Sequence, residues 1–122
     1  LPPHEQAVRD LIALKDKHYP QRGMLKEFYS EYSQIMRAYL EGRYQFPALE
    51  MTTFDLERDL EDNRFPSLLP RKLLPTLHEA DLVKFAKYLP PLEICDPTLE
   101  TGFEIVALTK PREVETEEVK AA

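Results

Sequence analysis

Leu25-Lys26-Glu27-Phe28-Tyr29-Ser30-Glu31-Tyr32-Ser33-Gln34-Ile35-Met36-Arg37-Ala38-Tyr39-Leu40-Glu41-Gly42-Arg43-Tyr44 is the stretch whose reading decides the fold. Leu25, Phe28, Tyr29, Tyr32, Ile35, Met36, Tyr39 and Leu40 recur at three- and four-residue spacing, which places them on one broad face of a helix. Ser30, Gln34, Arg37 and Glu41 lie opposite. The spacing predicts a helix over 23–44, the longest in the chain, with a core-facing stripe rich in tyrosine. Each ring can pack while its hydroxyl reaches the rim for a partner. Arg43 falls on the apolar side of this wheel near the helix end. A half-buried guanidinium there needs a carboxylate, and Glu50 is the nearest later one, so an Arg43–Glu50 pair is expected.

Outward from this helix, prolines punctuate the chain. Upstream, Pro2-Pro3 opens a helix over 4–18 carrying Ala7, Val8, Leu11, Ile12 and Leu14, and Pro20-Gln21-Arg22-Gly23 forms the connection. Downstream, Phe46-Pro47 breaks the chain, and Thr52-Thr53-Phe54-Asp55 resembles a capped helix start, giving a third helix over 53–62 with a weak apolar side of Phe54, Leu56 and Leu60. Leu68, Leu69, Leu73, Leu74 and Leu77 mark a fourth segment over 68–80. Pro75 requires either a late start near residue 72 or a kink. A separate short helix is then expected over 80–89, with Leu82, Phe85, Ala86 and Leu89 on its apolar face and Asp81, Lys84, Lys87 and Tyr88 on the other. Asp81 suits the start of such a helix and can reach Lys84 three residues on. Pro90-Pro91 stops it, and residues 90–95 read as extended or loosely coiled. Asp96-Pro97 has the form of an N-cap followed by a first-turn proline. It favours a last helix through Leu99, Phe103, Val106 and Ala107, although residues 103–109 would also suit a strand. From Pro111 the chain is polar. The expected fold is all-α, a bundle of about five helices in one domain over 1–110, with a polar tail over 111–122. Helices three and four would lie in a helix-turn-helix-like relation.

The 122 residues suffice for one domain with a real core, and 43% hydrophobic and 31% charged residues with 3 Gly suit a globular helical chain. The net charge of −6 counts against general nucleic-acid binding, where a basic surface is required. Entry of Arg71 and Lys72 into a groove from a helix-turn-helix is the one nucleic-acid reading the pattern offers. Cys95 stands alone, which excludes an internal disulfide framework and a multi-cysteine zinc site. His4, His18 and His78 do not pair at metal spacing. His78 and Asp81 are three apart, and two ligands fall short of a site. There is no Gly-x-Ser-x-Gly turn and no glycine-rich phosphate loop. No catalytic residue, metal or cofactor is therefore expected, and a small enzyme is the least favoured reading. No apolar run reaches the roughly 20 residues of a spanning helix. The chain opens Leu1-Pro2-Pro3-His4 rather than on Met, which reads as a piece of something longer.

Three blocks together resemble a known domain. They are Phe28-Tyr29-x-x-Tyr32-Ser33-x-Ile35-x-Arg37-x-Tyr39-Leu40-x-x-Arg43-Tyr44, then Ala48-Leu49-Glu50-Met51-Thr52-Thr53, then Ala80-Asp81-Leu82-Val83-Lys84-Phe85-Ala86-Lys87-Tyr88-x-Pro90. Their order is similar to that in the C-terminal cytosolic domain of bacterial membrane-anchored BatD-like (aerotolerance) proteins. The likeness extends over roughly residues 4–111, and the last block is its most specific part. The chain departs from that pattern at Gln45, where the family often has a small turn residue, and over Pro90–Pro97. The resemblance implies a non-catalytic interaction or scaffold domain on the cytoplasmic side of the bacterial inner membrane, anchored by a transmembrane helix outside this chain. Its expected partners are a MoxR-type AAA+ ATPase or a von Willebrand factor A domain protein, with no nucleic acid. On that reading the interaction candidates are Lys84, Lys87 and Tyr88 on the short helix, then Arg37 and Arg43, while Arg43–Glu50 and Asp81–Lys84 are the candidate structural pairs.

Overall fold

The predicted helix over 23–44 forms as α2 (Leu25–Tyr44), and its tyrosine stripe is the centre of the molecule. In the computed structural model, which describes residues 1–112, α2 is joined by α1 (Pro3–Asp16), α3 (Thr53–Asp59), α4 (Leu68–Ala86) and α5 (Cys95–Thr109). Of the described residues 75% are helical and none is in a strand. Short 3-10 turns at Pro20–Arg22, Ala48–Glu50 and Leu92–Ile94 connect the helices. The ambiguous run 103–109 is helix, the last two turns of α5. Of the predicted tail, residues 113–122 lie outside the described residues.

α2 packs against α1 on one side and α4 on another, and α5 closes the bundle across α1 and α4. α1 buries Ala7, Leu11 and Leu14 and leaves Val8 and Ile12 exposed, so its core stripe is narrower than the predicted set. α5 comes close enough at Gly102 that a Cβ there would sit 3.1 Å from Tyr32 Cε1 and 3.3 Å from Leu11 Cδ2. A side chain at 102 would have to push these two neighbours back by a few tenths of an ångström, so glycine suits this close approach. α5 also starts two residues earlier than the Asp96-Pro97 reading: Ile94 is its cap and Asp96 lies inside the first turn. There the carboxylate still suits the positive helix end.

Each buried tyrosine of the stripe solves its polar end separately. Tyr29 donates to Glu79 Oε1 at 2.5 Å and Tyr32 to Thr76 Oγ1 at 2.7 Å, both on α4. Tyr39 and Thr109 Oγ1 are 2.7 Å apart. Thr109 spends its one hydroxyl proton on the Ile105 carbonyl, so Tyr39 is the donor. These three bonds tie α2 to α4 and α5 at fixed register, each adding about 1 kcal/mol to the burial of the rings. Burial pushes all three phenols above their ordinary pKa.

α4 is where the structure departs most from the sequence reading. The 68–80 segment and the short helix over 80–89 are one helix, begun at Leu68 and running through Pro75. Pro75 removes one backbone donor and orphans the Arg71 carbonyl. Arg71 and Pro75 are both exposed, so water can take that carbonyl, while Leu69, Leu73, Leu77, Ala80 and Val83 anchor the helix on its other side. The expected inward face of Leu82, Phe85 and Leu89 is turned outward instead: their exposures are 50%, 77% and 77%. Lys72 on the first half is held by Glu104 of α5 at 2.7 Å.

Candidate functional site

Arg37 was expected on the solvent side of α2, yet only 8% of it is exposed. α2 puts Ser33 one turn before it, and the Ala48–Glu50 turn and the start of α3 close over it. Its Nε donates to Ser33 Oγ at 3.0 Å, Nη1 to the carbonyls of Ala48 (3.2 Å) and Met51, and Nη2 to Thr53 Oγ1 at 2.9 Å. Arg37 thus fastens the link between α2 and α3 to the body of α2. Thr52 performs the capping expected of it, accepting from the Asp55 N–H at 3.1 Å. All four of Arg37's acceptors are neutral. Burial pulls the guanidinium pKa below its ordinary value, and the nearby Asp81 carboxylate partly offsets that.

Arg37 also forms part of the wall of a groove of about 310 Å3 between α2, the α2–α3 link and the second half of α4. Asp81, Lys84 and Phe85 come to it from α4, Ser30 and Gln34 from α2, and Leu49 and Met51 from the link. Three of the sequence-derived candidates, Arg37, Asp81 and Lys84, therefore meet in one place. They do not meet as expected. Asp81 and Lys84 form no ion pair among the described residues, and Lys84 Nζ lies 5.1 Å from the centre of the Phe85 ring.

Lys87 and Tyr88 lie just beyond α4. Lys87 takes a left-handed conformation (φ 57°) that ends the helix, and the Tyr88 N–H returns to the Leu82 carbonyl at 3.1 Å. Both side chains are exposed. Arg43 does not turn to Glu50. Its Nε donates to the Thr109 carbonyl at 2.7 Å, satisfying the end of α5, and its guanidinium stacks 4.8 Å from the Tyr44 ring. Glu50 is exposed and makes no ion pair among the described residues. A helix C-terminus offers negative dipole and free carbonyls, which replaces the carboxylate that Arg43 was expected to need.

Apolar side chains are exposed at the groove and on the elements that form it. Phe85 and Leu49 are exposed on its rim, Leu82 is exposed on the same α4 segment, and Phe54 is 71% exposed in the first turn of α3. A larger groove of about 510 Å3 runs between α1 and α5, lined by Val8, Ile12, Phe103 and Val106 among others. Its charged side chains, such as Arg9 and Lys110, are exposed rather than buried. Among the described residues no group of three or more His, Cys, Asp or Glu side chains is placed to hold a metal ion. Cys95 is buried, and burial raises its thiol pKa.

The groove's neutral acceptors were not singled out in the sequence. Ser33, four residues before Arg37 and between Tyr32 and Ile35, was the available signal, because a small polar residue beside an apolar stripe leaves room for a guanidinium. No protein family, curated protein or solved structure matches the chain.

Proposed function

We propose that this chain is a non-catalytic protein-interaction domain that docks a partner through the second half of α4 and the groove beside it. One observation carries the reading. α4 is apolar on both sides: Ala80 and Val83 face the core, whereas Leu82 and Phe85, at roughly 100° per residue, fall on the far side of the helix in solvent. Large apolar side chains exposed on one helix beside a groove that also carries Leu49 suit a contact surface. Lys84 and Lys87 add cationic groups at that surface, and Lys87 and Tyr88 present it past the helix end.

The likeness to BatD-like cytosolic domains supports the same class, and on it a MoxR-type ATPase or a von Willebrand factor A domain protein is the partner. The helix-turn-helix alternative is weakened by Lys72, which is engaged by Glu104, and by a third helix of only seven residues.

The test is capture of partners from a lysate of the source cell, with mass-spectrometric identification, using the parent domain, Leu82→Ser/Phe85→Ser and Lys84→Glu/Lys87→Glu. The parent should recover the ATPase or von Willebrand-type protein, and both folded variants should lose it at least tenfold. Undiminished recovery by both variants would overturn the docking surface. Recovery of nucleic acid alone, in a salt-sensitive way, would replace it with the other reading.

A further inference from the structure

We infer that the groove holding Arg37 receives a carboxylate carried on an apolar segment of the protein partner. This assignment rests on the docking reading above and adds the chemistry of what docks. A guanidinium has five N–H protons. Four of those on Arg37 are taken by Ser33, Ala48, Met51 and Thr53, and the fifth, on Nη2, meets no acceptor among the described residues. A cation more than nine-tenths buried is held by neutral groups alone, with no carboxylate bonded to it. Such a charge is costly unless an anion compensates it. Asp81 supplies part of the compensation through space, without a hydrogen bond to Arg37.

The groove therefore carries two cations, Arg37 and Lys84, against one carboxylate, Asp81. That local surplus of positive charge stands out in a chain of net charge −6. An incoming anion would find one unshared N–H on Arg37 and the Lys84 ammonium, which is in no ion pair among the described residues. With Asp81 in the same wall the groove has one positive charge in surplus, which a single carboxylate balances. Leu49, Met51 and Phe85, set among the polar residues of the wall, suit an apolar body next to the charge. About 310 Å3 lies at the lower end of the range for ligand pockets, enough for a side chain or two of a docking segment.

The probe is 3-phenylpropionate, titrated into the 15N-labelled domain at neutral pH beside its neutral counterpart 3-phenylpropionamide. The acid should shift the signals of Ser33, Gln34 and the Arg37 Nε–H, and the amide should not. Asp81→Asn should tighten the acid's binding several-fold, because it removes a repelling charge and keeps the shape. Lys84→Glu should weaken it at least tenfold. The dispersion of each spectrum reports whether the variant is folded. A merely structural role for Asp81 would make Asn neutral or harmful, and either result overturns the assignment, as would equal binding of acid and amide. The acid is finally added to the captured partner of the preceding experiment. Displacement supports the partner's carboxylate as the occupant, while binding without displacement assigns the groove to a free small molecule and overturns that identity. If the Leu82/Phe85 variant keeps its partner, the docking surface falls, whereas the Asp81 and Lys84 effects judge the groove separately.

Discussion

Arg37→Met removes the guanidinium and keeps most of the apolar stem that packs beneath it. Four acceptors lose their donor. The hydroxyls of Ser33 and Thr53 can rotate to other partners, so their loss is discounted. The carbonyls of Ala48, which is fully buried, and Met51, which is half-buried, cannot move without unwinding the link. The Ala48 carbonyl still accepts from the Met51 N–H at 3.3 Å, so the Met51 carbonyl is the acceptor left unmet, at about 1–3 kcal/mol. Relief from burying a cation without a bonded anion returns part of this. The net expected loss is about 2 kcal/mol, a sizeable share of the stability of an ordinary domain. Arg37→Lys should fall between, because an ammonium cannot span acceptors on both the turn and α3 as a planar fork does. Urea unfolding followed by circular dichroism measures both, with an unchanged m-value as the sign that the same surface is exposed. A loss below about 1 kcal/mol for Arg37→Met would refute the clamp and return Arg37 to the surface role read from the sequence.

Two further outcomes follow from backbone and burial. Gln45 ends α2 in a left-handed conformation (φ 57°, ψ 53°) and is exposed, so Gln45→Gly should stabilise the domain by up to about 1 kcal/mol and raise Tm by a few degrees in a thermal melt; a lower Tm would refute the cost assigned to that cap. The three buried phenols, Tyr29, Tyr32 and Tyr39, have folded pKa values above the ordinary 10.0, chiefly through burial. Below that pH both states hold the protons and stability is unaffected, but above it only the unfolded chain loses them. Stability should therefore fall as pH rises past 10.0, with a slope approaching about 4 kcal/mol per pH unit from three groups, and the tyrosinate absorbance of these three rings should appear only with unfolding. Tyrosinate formed by these three phenols near pH 10 in a still-folded domain would contradict it.

The helices were legible because their apolar spacing is local, and what escaped was register between segments. Leu82, Phe85, Ala86 and Leu89 do lie at helical spacing, and taken alone they make a convincing inward face. Once Pro75 and the boundary at residue 80 cease to interrupt α4, the angle of Leu82, Phe85 and Ala86 can be compared with that of Leu69, Leu73, Leu77 and Ala80, and they fall nearly opposite, while Leu89 lies past the helix end. Tertiary packing chose the longer set, and the second set was left in water, where no folding constraint explains it. Arg37 failed in the complementary way. Its own helix placed it opposite the tyrosine stripe, correctly, but a second layer made of the Ala48–Glu50 turn and α3 arrives from outside and covers that side. Gln45 joins the two errors. A left-handed residue at the end of α2 is what turns the chain back over Arg37. The same reversal brings Leu49 and Met51 against Lys84 and Phe85 and so builds the groove. The candidate site is thus made by the two features that periodicity could not place, a helix longer than its proline permits and a turn that bends the following segment onto the polar face of the central helix.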